Sequence, residues 1–162
     1  VEPAGFRIAS AEDAARWHLK NKYPFFYIKD TALYMPRDDL FSITKYNPFL
    51  NPAGKFSEGV YFPTDGEVCS ALEGSVSLGW NPLYVQPEDF SRDSATRYLF
   101  GNIAEEYGRF LGKNINHLSI HPLLRKRKAP IIHQIFFDNG EVDCGKYFDS
   151  SERSHNRVLG VI

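Results

Sequence analysis

Cysteine is scarce in this chain: Cys69 and Cys144 are the two among 162 residues. A disulfide-stapled scaffold needs more, and a chain of this length buries a sizeable core without staples. Two free thiols in a reducing compartment are the default expectation, with one Cys69–Cys144 bridge as the other. Long hydrophobic runs are missing as well. No apolar stretch approaches the roughly 18 residues that a membrane-crossing helix needs, so none is expected. The first residues lack the charged, apolar and small-residue pattern of a signal peptide. No charge sign dominates: 19 Lys and Arg stand against 20 Asp and Glu, a net charge of −1. No global field therefore draws the chain to nucleic acid or anionic lipid. There is no internal repeat and no low-complexity tract.

What is present is an ordinary globular composition, 43% hydrophobic and 24% charged, so wholesale disorder is not expected. Thirteen Phe and nine Tyr exceed what a core alone asks for, and part of them is available to a pocket or an interface. The length fits one domain. Val1 in place of an initiator methionine suggests a processed chain or an excised domain. The expected setting is a soluble protein acting in a reducing cytoplasm, whether made there or delivered by secretion or translocation.

Local signals place the elements. Ser10 with Asp13 three residues on caps a helix over Ala11 to Lys22, stopped at Tyr23-Pro24. Phe25 to Ile28 and Thr31 to Met35 are strand-forming runs that predict a tight hairpin around Lys29-Asp30. Pro36 to Glu58 reads as a long loop, and long loops in compact domains are often functional. Val60-Tyr61-Phe62 is a short strand. Thr64 and Glu67 make a capping box for a helix from Asp65 to about Gly74. Leu83 to Gln86 is another short strand. The apolar residues between Ala95 and Leu111 recur on one face of a continuous helix closed by Gly112. Ile131 to Phe137 and Glu141 to Phe148 flank Asp138-Asn139-Gly140, a hairpin signal. Arg157 to Ile162 fits a last strand. Hairpins mixed with helices predict an α+β fold: a single domain with a curved, mostly antiparallel sheet and two or three helices.

One stretch points toward a chemistry. Gly54-Lys55-Phe56-Ser57, then Gly59-Val60-Tyr61-Phe62, then Ala71-Leu72-Glu73 put an aromatic residue on a strand and an acid one helix later. These residues resemble RES-type toxins and, more distantly, the ADP-ribosyltransferase superfamily. There a Gly-Arg-aromatic-Ser/Asn stretch precedes a tyrosine-bearing strand and a helix carrying an acid. The resemblance covers about twenty residues, and Lys55 stands where the family prefers arginine. It implies NAD as substrate, with no metal. Tyr61 would stack on the nicotinamide ring. Glu73, or Glu141 on a late strand, would stabilise the oxocarbenium-like ribose after nicotinamide departs. Arg37 or Arg7, with Lys55, would hold the pyrophosphate. An immunity or antitoxin protein would be a natural partner. The same residues also read as a core tyrosine and a solvated helix glutamate.

Other clusters carry less. Glu141, Asp143 and Lys146 follow Asp138 and could orient a metal-bound water, but Asp138-Asn139-Gly140 is better explained as turn chemistry. His117 and His121 are four apart, though Asn114 to Asn116 and Pro122 argue against the helix a zinc pair would need. His133 sits in an apolar strand, and His155 in a polar segment suits a general base. Cys144 has no spacing that selects it as a nucleophile. Arg125-Lys126-Arg127-Lys128 is a dense basic run, most simply solvated. Two further readings stand beside the NAD reading. One is a nuclease-type toxin using His155 or His133 with the basic run. The other is a non-catalytic module whose exposed aromatics bind a protein.

Overall fold

In the computed structural model, residues 7–21, 25–57, 60–78, 83–113, 115–120, 128–138, 141–144 and 160–161 are described. The fold is α+β. The first helix, α1 (Ala11–His18), starts where the sequence places it. Asp13 N–H donates to Ser10 Oγ at 3.2 Å, and Ser10 N–H donates to Asp13 Oδ2 at 3.0 Å. It ends four residues before Lys22. Asn21 donates its side-chain amide to the Trp17 carbonyl at 2.8 Å, and Lys20 N–H bonds to the same carbonyl. Capturing that carbonyl tightens the last turn and competes with further helix.

The strands are β1 (Arg7–Ile8), β2 (Phe25–Met35), β3 (Leu40–Thr44), β4 (Lys55–Ser57), β5 (Val60–Phe62), β6 (Val76–Leu78), β7 (Leu83–Val85), β8 (Ile115–Ile120), β9 (Ile131–Asp138), β10 (Glu141–Cys144) and β11 (Gly160–Val161). The main sheet runs β6-β3-β2-β9-β10-β8-β7, with β5 attached to β9 and β4 to β5. Every pairing is antiparallel except β8 with β10. β1 and β11 form a separate two-stranded ladder.

Two expectations are corrected here. Lys29-Asp30 is not a hairpin turn but lies inside one eleven-residue strand, β2. The pairing with β9 shifts between Tyr27 and Thr31, so the polar pair sits at an irregularity. Its backbone and charge are satisfied by distant partners. Lys29 N–H donates to Ala9 O at 2.7 Å, and the buried Asp30 carboxylate receives Ala11 N–H at 2.6 Å. Lys45 Nζ stands 2.5 Å from its other oxygen. The reversal comes at residues 36–39, where Asp39 takes a φ of 48°. The segment expected as a loop up to Glu58 therefore contains β3, a 3-10 turn at Pro48–Leu50, and β4.

The helix expected over Ala95 to Leu111 is broken. α3 (Ser94–Phe100) and α4 (Ala104–Leu111) are separated by a 3-10 turn at Gly101–Ile103. Gly101 has φ 57°, and a Cβ there would lie 3.0 Å from Glu12 Oε2, so the break seats the chain against α1. Counting α3 and α4 as one interrupted segment, with α1 and α2 (Asp65–Leu72), gives three helical segments. No described helix is long and apolar enough to cross a membrane.

Alternation along the strands divides the core. Ala32, Tyr34, Phe41, Ile43, Ile131, Ile135 and Phe137 pack with α1, α3 and α4. Leu33, Tyr61 and Ile132 point to the opposite face and pack with Val68 and Ala71 of α2. That second, smaller cluster positions the candidate site. The hairpin at Asp138 and the strand at Leu83 form as the sequence predicts. The part of the expected strands beyond Cys144 and before Gly160 lies outside the described residues, as does Tyr23-Pro24.

Candidate functional site

The Gly54 to Glu73 stretch folds as one hydrogen-bonded unit, and its centre is a residue that the motif did not single out. Glu67 is the third residue of α2. It closes the predicted capping box: Glu67 N–H donates to Thr64 Oγ1 at 3.2 Å, and Thr64 N–H donates to Glu67 Oε1 at 3.0 Å. Such glutamates usually face water, but this side chain is only 5% exposed. Its carboxylate also receives the Tyr61 hydroxyl, at 2.8 and 2.7 Å from its two oxygens, and Ala53 N–H at 3.3 Å. Tyr61 Oη in turn accepts Gly54 N–H at 2.8 Å.

The electrostatics follow from that donor set. Burial by itself pushes the Glu67 pKa up, but the donors from Thr64, Tyr61 and Ala53 outweigh it and hold the carboxyl below its ordinary value. Burial, then the bond to Glu67, raises Tyr61; burial and the Glu67 charge raise Tyr46. At neutral pH the cluster is one anion held by the neutral Tyr61 phenol and two backbone amides. The helix N-terminus adds a favourable field.

Tyr61 is 2% exposed, with its ring 5.3 Å from Phe49 and 4.9 Å from Phe56. The ring expected to stack on a ligand is thus packed inside the unit. The exposed ring is Phe56, at 61%, directly opposite Tyr61 across the β4–β5 ladder. Lys55 is exposed beside it. Glu73 is exposed at the C-cap of α2. α2 packs over β2 and β3, and the turn between those strands carries the exposed Arg37.

The other two candidates stand apart. Tyr61 pairs with Ile132 on β9, while Glu141 pairs with Asp138. Those positions are six residues apart, about 20 Å along β9. Arg7 lies in the separate β1–β11 ladder. Lys55 and Tyr61 thus share the β4–β5 ladder, Glu73 ends α2 and Arg37 lies in the turn between the strands under α2, whereas Glu141 and Arg7 lie on other strands.

His133 Nδ1 lies 2.7 Å from the Gln134 carbonyl, and burial lowers its pKa. His117 lies in β8, a strand rather than a helix. Lys128 is exposed. His121, His155, Lys146 and residues 125–127 lie outside the described residues. Cys69 is a free, exposed thiol on α2. Among the described residues no group of three or more His, Cys, Asp or Glu is placed to hold a metal ion. Glu67 was legible as a cap from Thr64-x-x-Glu67; its bond to Ala53 arises from chain reversal and has no local signature. Comparison with protein-family models, curated proteins and solved structures finds no match.

Proposed function

We propose that the chain is an NAD-consuming enzyme, an ADP-ribosyltransferase or NAD glycohydrolase of the toxin or effector kind. The observation that carries the reading is the exposed Phe56 ring, set beside Lys55 on β4 and backed by the buried Tyr61–Glu67 pair. Phe56, rather than Tyr61, offers a face for the flat nicotinamide ring. Lys55 offers a cation to the pyrophosphate, and Arg37 a second one. Glu73 is an exposed carboxylate on this unit. In the reaction the nicotinamide C–N bond breaks and its electron pair leaves with nicotinamide. Glu73 faces the cationic ribose, and water or a target nucleophile then attacks that carbon. Thermal-shift titration with NAD and chromatography of the incubated mixture for free nicotinamide test this. Phe56→Ala and Lys55→Ala are each expected to lower kcat/KM about tenfold or more without unfolding an exposed position. The absence of both the shift and nicotinamide release would sink the proposal.

A second reading rests on the same ring. Among the described residues β4 pairs only with β5, and its other edge has no strand partner there, beside the exposed phenylalanine. An open edge with an apolar anchor suits strand addition by a protein partner, such as an immunity protein. A partner recovered by pull-down and lost in Phe56→Ala, without NAD turnover, would favour it.

A further inference from the structure

We propose that Glu67, acting through Tyr61, is a positioning residue that clamps the Ala53–Gly54 turn and so sets where Lys55 and Phe56 stand. Capping α2 requires one contact from this carboxylate, and Thr64 N–H on Oε1 supplies it. The remaining contacts reach out of the helix. Ala53 N–H donates to Oε2, and Gly54 N–H donates to the Tyr61 hydroxyl that is itself bonded to both oxygens. Two consecutive amides of an otherwise exposed segment are thereby held by buried side chains, immediately before β4 begins at Lys55.

The fit leaves no slack. A Cβ on Gly54 would lie 2.1 Å from the Phe62 carbonyl oxygen and 3.0 Å from Tyr61 Oη. The turn therefore lies directly on β5, and only glycine allows the phenol to receive that amide. Phe56 then faces Tyr61 across the ladder, with Phe49 5.8 Å away on its flank. A buried carboxylate is costly unless every bond it makes is kept. Losing the Tyr61 arm should release the turn while leaving the helix cap in place.

The role in NAD binding rests on the reading proposed above; the clamp itself does not. The test uses the full chain and three variants: Tyr61→Phe, Glu67→Gln and Thr64→Ala. Amide exchange is read by NMR at Ala53 and Gly54, with Val68 in α2 as reference, and steady-state kinetics are run with NAD. Tyr61→Phe and Glu67→Gln should each speed Gly54 exchange about tenfold or more, the loss of one charge-linked bond, with Val68 nearly unchanged. In both, KM for NAD should rise about tenfold while kcat stays within about threefold, because binding geometry and not chemistry is disturbed. Thr64→Ala removes a cap contact alone and should lower stability without either effect. Unchanged Gly54 exchange in Tyr61→Phe, or the same pattern in Thr64→Ala, overturns the clamp. A wild-type chain that leaves NAD intact overturns the enzymatic reading, and the exchange data then decide the clamp by themselves.

Discussion

Replacing Gly54 and Gly66 by alanine should change stability in opposite directions. Both glycines lie in the same twenty-residue unit, and both gain a single methyl. At Gly54 the new Cβ would fall 2.1 Å from the Phe62 carbonyl oxygen and 3.0 Å from Pro63 Cα, backbone atoms at and just beyond the end of β5. Ordinary contact begins about 1.3 Å further out, so the turn must move off β5. Overpacking of this kind costs about 1–3 kcal/mol. Moving the turn also breaks the Gly54 N–H bond to Tyr61, worth about 1 kcal/mol more. The sum is about 2–4 kcal/mol, or a fall of about 4–16 °C in Tm for a chain of this size. At Gly66 the nearest atom to a Cβ is Thr64 Oγ1 at 3.9 Å. Alanine there fits without strain and is the better helix former by about 0.5–1 kcal/mol, so Tm should rise by about 1–4 °C. Urea and thermal melts of both variants against wild type measure the pair. Gly54→Ala melting at or above wild type would show that the turn does not bear on β5, and the reasoning would fail.

Other expectations follow from the rest of the fold. His18 is buried with Nδ1 2.8 Å from the Tyr107 hydroxyl, and burial, then Lys113, lowers its pKa below 6.5. The neutral ring is favoured in the native state, so stability should hold above pH 6.5 and decline as pH falls toward the lowered native pKa. Urea midpoints from pH 7.5 to 5.5 should show that slope, and His18→Gln should flatten it; an identical slope in the variant contradicts the assignment. Asp30→Ala leaves Ala11 N–H and the half-exposed Lys45 without their anion. It should cost about 2–4 kcal/mol in urea unfolding, and a loss under about 0.5 would contradict the tie between α1 and β2. Gly108→Ala gains helix propensity, yet its Cβ would meet the Pro87 carbonyl oxygen at 2.6 Å. The close approach should win, giving a net loss of about 1–3 kcal/mol by thermal melt.

What could be read from the sequence was what neighbours in the chain decide. Ser10 with Asp13 and Thr64 with Glu67 bond within three residues, so both helix starts were legible. Asp138-Asn139-Gly140 likewise marks its own reversal. Lys29-Asp30 has the composition of a turn, but Ala9, Ala11, Lys45 and Asn47 supply partners that keep the backbone extended. The periodicity from Ala95 to Leu111 is real, because both α3 and α4 bury one face, yet Gly101, at φ 57°, interrupts the axis where it lies against Glu12. In the candidate site the sequence singled out Tyr61, and the fold buries that ring and exposes Phe56 instead. Tyr61 and Phe56 are a cross-strand pair on one face, but Tyr61 is packed with Val68 and Ala71 of α2 while Phe56 sits on β4, which lay within the expected loop and had no strong strand signal.

The most direct test of the proposed chemistry is nicotinamide release followed by proton NMR of NAD incubated with the wild-type chain and with Glu73→Gln. Glu73 is exposed at the end of α2, so the variant should keep the wild-type Tm. With Glu73 facing the ribosyl cation, the wild type should release nicotinamide and the variant should do so at least about a hundredfold more slowly. Equal rates in the two proteins, or no release by the wild type, would contradict it.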